Sequence, residues 1–209
     1  MNILVLGANG KVGSLVVKEL AKTNHIIRAF VHGNSNIFAS KKIEIFEGDI
    51  KSKESLGKAL QNIDIVISCL GSWGTKTKDI LSTAMENIIP LMENNNINKI
   101  ISLTGAEARV KNEHISFLQK FTYPFFNLIA PKILEDANSH LSLLSGSNLN
   151  WTVIRSPVMN NCGSPRKFQL KHNYPSQLRT INRQSVALAL VNQIEDEAFI
   201  KKAPYIFRK

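Results

Sequence analysis

A chain of 209 residues suits one domain whose core is large enough to need no disulfide or metal staple. With 44% hydrophobic and 20% charged residues it has no uninterrupted apolar run of about 18 residues, and Cys69 and Cys162 are too few and too far apart for a disulfide framework or a metal site. The net charge of +10 is uneven, with 17 Lys/Arg against 13 Asp/Glu over 1–160 and 9 against 3 over 161–209. Such a basic region suits nucleic acid or a small anion, but no helix-turn-helix, finger or aromatic RNP-like stretch accompanies it, so nucleic acid is not expected. The five His residues show no ligand spacing, so no metal is expected. The first strand begins at once, with no basic region or cleavage site before it, and a cytoplasmic, reduced, soluble protein that does not engage membranes is the expectation.

In chain order, NILVLG (2–7) reads as a strand, and 11–22 as a helix with Val12, Leu15, Val16 and Leu20 on one face. Strands follow at 25–32 and 43–49, then a helix over 52–60 capped by Ser52. DIVISCLG (64–71) is a strand whose continuous apolar run implies burial on both faces. A long helix near 77–94 leads to the strand NKIISLTG (98–105), helices at 113–128 and 132–146, and the strand WTVIRSP (151–157). The rest reads as a loop or hairpin at 163–181, a helix at 183–194 and a short strand at 204–207. Repeated strand–helix units of this kind predict a Rossmann-like, doubly wound, mostly parallel α/β sheet with helices on both faces. The strand order should reverse beside the first strand, which places the crevice over Gly7 to Gly13.

That segment, LGANGKVG, has the form of a phosphate cradle. Gly7 permits a tight turn, Gly10 lets a pyrophosphate approach the backbone, and Gly13 lets the helix pack on the strand. The amides at the positive end of the helix would face the anion. A tight turn without a ligand is the alternative.

Further blocks carry a resemblance. GANGKVG is similar to a GATGxxG turn, FEGDI (46–50) to a Gly-Asp pair after the third strand, and ISCLG (67–71) to the loop after the fourth. IISLTGA (100–106), LLSGSNLNWTVIRSP (143–157) and INRQSVALALV (181–191) match equally distinctive blocks. Together the chain resembles the atypical short-chain dehydrogenase/reductases of the NAD(P)H-binding, NmrA-like group, and within it the small flavin/biliverdin reductase type. The resemblance implies one NAD(P)-binding domain over 1–209, its substrate side built from about 106–135 and 156–182. It implies that Gly7, Asn9, Gly10, Lys11, Val12 and Gly13 line the pyrophosphate and that Asp49 and Ile50 meet the adenine. Leu70 and Gly71 would lie under the ribose, Thr104 near the nicotinamide, and Ser156, Pro157 and Val158 beside its carboxamide. For Asp49 a turn or cap role is the alternative, for Gly71 a strand-ending turn. Arg155 reads as a buried arginine paired with a carboxylate.

The second strand ends AFVHGNSN, with no acid to accept from a ribose 2′-OH, so NADP(H) is favoured over NAD(H). His32 stands where many NADP-binding relatives carry Arg; Asn34, Ser35, Lys41, Lys42 and Lys11 are further donors. The Tyr-x-x-x-Lys pair of standard short-chain dehydrogenases is missing: Asn127 follows Tyr123, Leu178 follows Tyr174, and Tyr205–Lys209 lies on the last strand. Reduction of a flavin, quinone or similar conjugated acceptor needs no such pair, only a stacked ring and a proton from solvent or a nearby acid. Thr104, Ser102 and His140 are the candidate donors, and Asp136 and His140, spaced i, i+4, would form an oriented acid or an ordinary surface pair. Trp73 would stack on the acceptor, and the aromatic-rich 116–131 would form a lid. Val158 departs from the polar residue that the flavin/biliverdin type carries. The expected protein is thus a reductase acting on a small molecule, as a monomer or weak homodimer. A non-catalytic NAD(P) sensor, or an enzyme of the sugar-nucleotide epimerase/dehydratase kind, is the alternative.

Overall fold

The computed structural model describes residues 1–33, 35–73, 75, 77–110, 113–177 and 179–209. In chain order they form β1 (Asn2–Leu6), α1 (Gly13–Leu20), β2 (Ile26–Val31), β3 (Ile43–Glu47), α2 (Lys53–Ala59), β4 (Ile65–Ser68), α3 (Ile80–Asn94) and β5 (Lys99–Gly105). There follow α4 (Gln119–Ile129), α5 (Pro131–Ser145), β6 (Asn150–Ser156), β7 (Met159–Asn160), β8 (Phe168–Lys171), β9 (Ile181–Asn182), α6 (Arg183–Asn192) and β10 (Tyr205–Arg208).

One sheet runs in the order β3-β2-β1-β4-β5-β6-β10-β8. Its strands are parallel except β8, which is antiparallel to β10. The order reverses at β1, which pairs Leu4 with Arg28 on one side and with Val66 on the other. Alternation along β1 splits the core. Leu4 and Leu6 join Met85, Ile88, Leu141 and Leu144 on the face covered by α2, α3 and α5. Ile3 and Val5 join Val16, Leu20, Val186 and Leu190 on the face covered by α1 and α6. The apolar run of β4 is buried throughout, as a strand with helices on both faces requires. Ser52 caps α2 by accepting from the Ser55 amide at 3.1 Å.

Three segments differ from the sequence reading. α1 begins only at Gly13, because Lys11 and Val12 belong to the preceding turn. Of the loop or hairpin expected at 163–181, the described residues form loop around β8 and no local hairpin. β8 instead pairs along β10, covering an edge that β10 would otherwise expose, while β7 and β9 form a separate two-stranded parallel ladder. The helix expected from 113 starts at Gln119, since Glu113 is tied to Arg155 and to the Val110 amide. α4 buries Gln119 and Thr122 and leaves Phe117 (just before it), Phe121, Phe125, Leu128 and Ile129 exposed. Among the described residues no helix is long and apolar enough to cross a membrane.

Candidate functional site

The turn after β1 has the geometry that its three glycines require. Gly7 sits at φ +70°, in the left-handed region, and a Cβ there would lie 3.2 Å from the Cys69 backbone. A Cβ on Gly13 would lie 2.1 Å from the Gly7 carbonyl oxygen, so only glycine lets α1 start this close to the turn. The Gly10 amide donates to the Gly7 carbonyl at 2.9 Å and closes the loop. Val12 precedes α1 without a side-chain cap, and the amides of Lys11, Val12 and Gly13 have no backbone acceptor among the described residues. Uncapped donors at the positive end of a helix, over the point where strand order reverses, suit a pyrophosphate. Asn9 Oδ1 accepts from Ser35 Oγ at 2.8 Å, joining this turn to the segment after β2.

His32 lies exposed just past β2, and no acid accompanies it. Asn34 lies outside the described residues. Lys42 donates to the Thr23 carbonyl at 2.7 Å, and Lys41 and Lys42 both precede β3 at the end of the sheet opposite the crevice, so neither expected donor lies beside the cradle. Asp49 uses its side chain locally, accepting from the Lys51 amide at 2.9 Å, which is the turn role weighed from sequence. Ile50 is buried, its carbonyl held by Asn87 at 3.0 Å.

The ends of β4, β5 and β6 form the crevice floor. Leu70 lies against the Gly7 turn, and the space a Cβ on Gly71 would enter is open. Thr104 is 5% exposed and its Oγ1 has no partner; Ser68 Oγ, at the end of β4, is likewise buried and unpartnered. A hydroxyl buried without a partner is costly in an empty protein and is satisfied by a ligand donor or acceptor. Ser156 donates to the Pro157 carbonyl at 3.0 Å and accepts at its own carbonyl from Ala106, while Val158 is 67% exposed. Burial pushes the Cys69 thiol up to about 12, which leaves it inert.

The expected acid pair needs correction. Neither Asp136 nor His140 is on the surface, and they do not bond to each other. Asp136 accepts from the Leu81 amide (3.1 Å), the Ser82 amide (2.8 Å), Ser82 Oγ (2.7 Å) and Ser72 Oγ, so it caps α3. His140 packs beneath the sheet with Nε2 2.8 Å from Ser102 Oγ, and Nδ1 is buried without a partner. Burial pushes its imidazole down to about 4, against a smaller opposite pull from Asp136. A neutral, enclosed ring is no proton donor at neutral pH, and Ser102 serves it rather than the crevice. Thr104 lies near the end of β5 with its hydroxyl buried and without a partner.

Trp73, 66% exposed, projects from a loop tethered by Ser72 to Asp136 and by Lys78 Nζ to the Thr75 carbonyl at 2.6 Å. Gly74 and Lys76 of that loop lie outside the described residues. Arg155 is paired as read from sequence. It forms a fork onto Glu113 at 2.5 and 2.6 Å, donates to the Ala203 carbonyl at 2.7 Å, and stacks on Tyr205 at 3.6 Å.

One cluster escaped the sequence reading. Tyr174 donates to Glu107, and its hydroxyl lies 3.1 Å from Thr122 Oγ1, joining the end of β5, α4 and the 172–180 loop. Burial raises the Glu107 carboxyl above the usual range and, together with the bond to Glu107, raises the Tyr174 phenol. This cluster brings together the two stretches expected on the substrate side. No spacing rule links residues 107 and 174, so sequence carried no signal for the pair.

The family described as NAD(P)H-binding matches residues 7–197. TIC 62 of Arabidopsis thaliana is 25% identical over 180 residues, 73% of this chain and 26% of its own length. The isoflavone reductase homolog A622 of Nicotiana tabacum is 35% identical over 79 residues, 33% of this chain and 26% of its own length. The chain thus aligns with about a quarter of either relative. A short-chain dehydrogenase/reductase of Veillonella parvula, solved in complex with NADP, has a TM-score of 0.77 at 20% identity, covering 98% of this chain and 93% of that one. That likeness shows the fold, and the match over 7–197 shows more: this chain belongs to the NAD(P)H-binding family.

Proposed function

We propose that the protein is an NAD(P)H-dependent reductase acting on a flavin, quinone or similar conjugated small molecule, with NADP(H) favoured over NAD(H). The observation that supports this reading is the uncapped amide cradle at Lys11–Gly13, where the strand order reverses, together with the buried, unpartnered Thr104 hydroxyl near the end of β5. The partial similarity to an isoflavone reductase homolog supports a reductase. When bound, the nicotinamide supplies the hydride. The chain's part is to hold the pyrophosphate on its amides, orient the ring through Thr104, and hold a flat acceptor by shape with Trp73. No tyrosine is poised as the dehydrogenase acid: Tyr123 is engaged by Asn138 and covered by Arg109, the Tyr174 hydroxyl donates to Glu107, and Tyr205 is buried in β10. The acceptor's proton therefore comes from solvent. We infer that 1–209 works as one domain, as a monomer or weak homodimer.

Oxidation of NADPH across a panel of flavins, quinones and dyes tests the reading, with turnover expected for at least one acceptor. Tight NADPH binding with no oxidation by any of them overturns it and leaves a non-catalytic dinucleotide sensor. For the cofactor, NADPH should bind more tightly than NADH; His32→Arg should widen the margin and His32→Asp reverse it. Equal dissociation constants for both cofactors in the wild type and in His32→Asp remove the NADP assignment.

A further inference from the structure

The basic excess of the C-terminal quarter is not spread evenly over the fold. Its three acids, Glu195, Asp196 and Glu197, follow α6, where the neighbouring Ile194 carbonyl accepts from Lys99 at the start of β5. That is the end of the sheet opposite the crevice. At the crevice end, β8, β10, residues 173–177 and Arg179 border a half-open cavity of about 550 Å³. Lys171, Arg179 and Arg208 line it, and among the described residues no carboxylate does. None of the three cations has a hydrogen bond or ion pair among the described residues, although the Arg208 guanidinium rests near Gly163. Glu107, buried behind this wall, is bonded to the hydroxyl of Tyr174. The rest of the lining mixes Tyr174, Pro157 and Phe207 with the polar Gln169, Asn173, Ser176 and Gln177. Pro157 directly follows β6, so the cavity adjoins the crevice.

Unpaired cations around one cavity raise its potential and favour an anion more than the same charges scattered over a surface. A phosphate or carboxylate gains charge-assisted hydrogen bonds from lysine and arginine there, while a planar ring gains apolar contact with the wall. We propose that this cavity binds a planar ring compound carrying a phosphate or carboxylate arm, with the arm held by Lys171 and Arg179 and the ring against Tyr174, Pro157 and Phe207. Resting on the reductase reading, this compound is the acceptor, and the acceptor is anionic. Arg179, at the mouth, and Lys171, on the edge strand, are both exposed, so charge reversal at either leaves the core untouched.

Calorimetric titration of the NADP⁺-saturated protein separates the two arms. The probes are flavin mononucleotide against riboflavin for phosphate, and anthraquinone-2-carboxylate against menadione for carboxylate. At least one charged probe should bind ten-fold or more tightly than its neutral counterpart. Lys171→Glu and Arg179→Glu should each remove most of that preference while leaving riboflavin and menadione affinities unchanged, with Lys171→Gln and Arg179→Gln intermediate. Equal affinity for charged and neutral probes, or a preference indifferent to both reversals, overturns the proposal. A charge-dependent preference without NADPH oxidation upholds the cavity and sinks the reductase reading. Oxidation that proceeds equally with neutral probes and in both reversed variants does the opposite.

Discussion

At the scale of single residues, His140 carries a measurable cost of burial. Its folded value near 4 lies below the unfolded value of about 6.5, so the unfolded chain binds the proton more readily. The sign follows: the stability it contributes is complete above about pH 6.5 and is lost as pH falls from there toward 4, by on the order of 3 kcal/mol. Glu107, raised by burial, acts in the opposite sense, its contribution present at low pH and lost as pH rises through its raised value. Urea unfolding of the wild type and of His140→Gln between pH 7 and 4.5 separates them. The wild type should lose stability more steeply than the variant, and parallel curves would show that the ring is not held neutral. Gly13 is a second such position. Gly13→Ala should cost about 1–3 kcal/mol by overpacking, because a Cβ there meets backbone rather than a movable side chain.

At the scale of elements, the α3–α5 pair depends on one carboxylate. Asp136 of α5 accepts from two first-turn amides and one hydroxyl of α3, and from Ser72 in the loop that carries Trp73. An acid at a helix N-terminus is favoured by the dipole, and here it also replaces the cap that Asp79 does not provide. Asp136→Ala should therefore lower stability by about 3 kcal/mol, as expected for losing several hydrogen bonds to a buried charge. Asp136→Asn, which keeps one acceptor oxygen, should lose less. Trp73 emission should change in Asp136→Ala and hold in Asp136→Asn, since Ser72 is the tether; an unchanged spectrum in both would detach the loop from α5.

At the scale of the whole molecule, the cradle after β1 and the crevice floor at the ends of β4, β5 and β6 come from neighbouring strands of one sheet. A dinucleotide spanning them binds the folded chain alone, and at about 100-fold excess over its dissociation constant it should stabilise the fold by about 2.7 kcal/mol. Thermal unfolding with and without NADPH measures this. Gly10→Val, which sets a branched side chain where the Gly7 carbonyl already lies 3.0 Å from a Cβ, should stay folded and abolish the shift. A retained shift in the folded variant would mean that phosphate binds elsewhere.

Sequence alone determined what acts over a few residues. The alternation of apolar runs with helical stripes gave the doubly wound sheet and the place of its reversal, because each element's burial pattern repeats at its own period. The three glycines were legible for the same reason: a left-handed φ at Gly7 and a helix start against the turn at Gly13 are local steric demands. The burial of Arg155 beside a carboxylate was legible, but not that Glu113 supplies it from 42 residues away. Tertiary structure alone decided that His140 lies under the sheet against Ser102, since i, i+4 spacing places Asp136 and His140 on one helix face but says nothing of what that face meets. It also decided the pairing of β8 with β10, the bond from Tyr174 to Glu107, and the gathering of Lys171 and Arg179 around one cavity. Each depends on how distant segments close on one another, and chain closure leaves no periodic mark in the residues it joins.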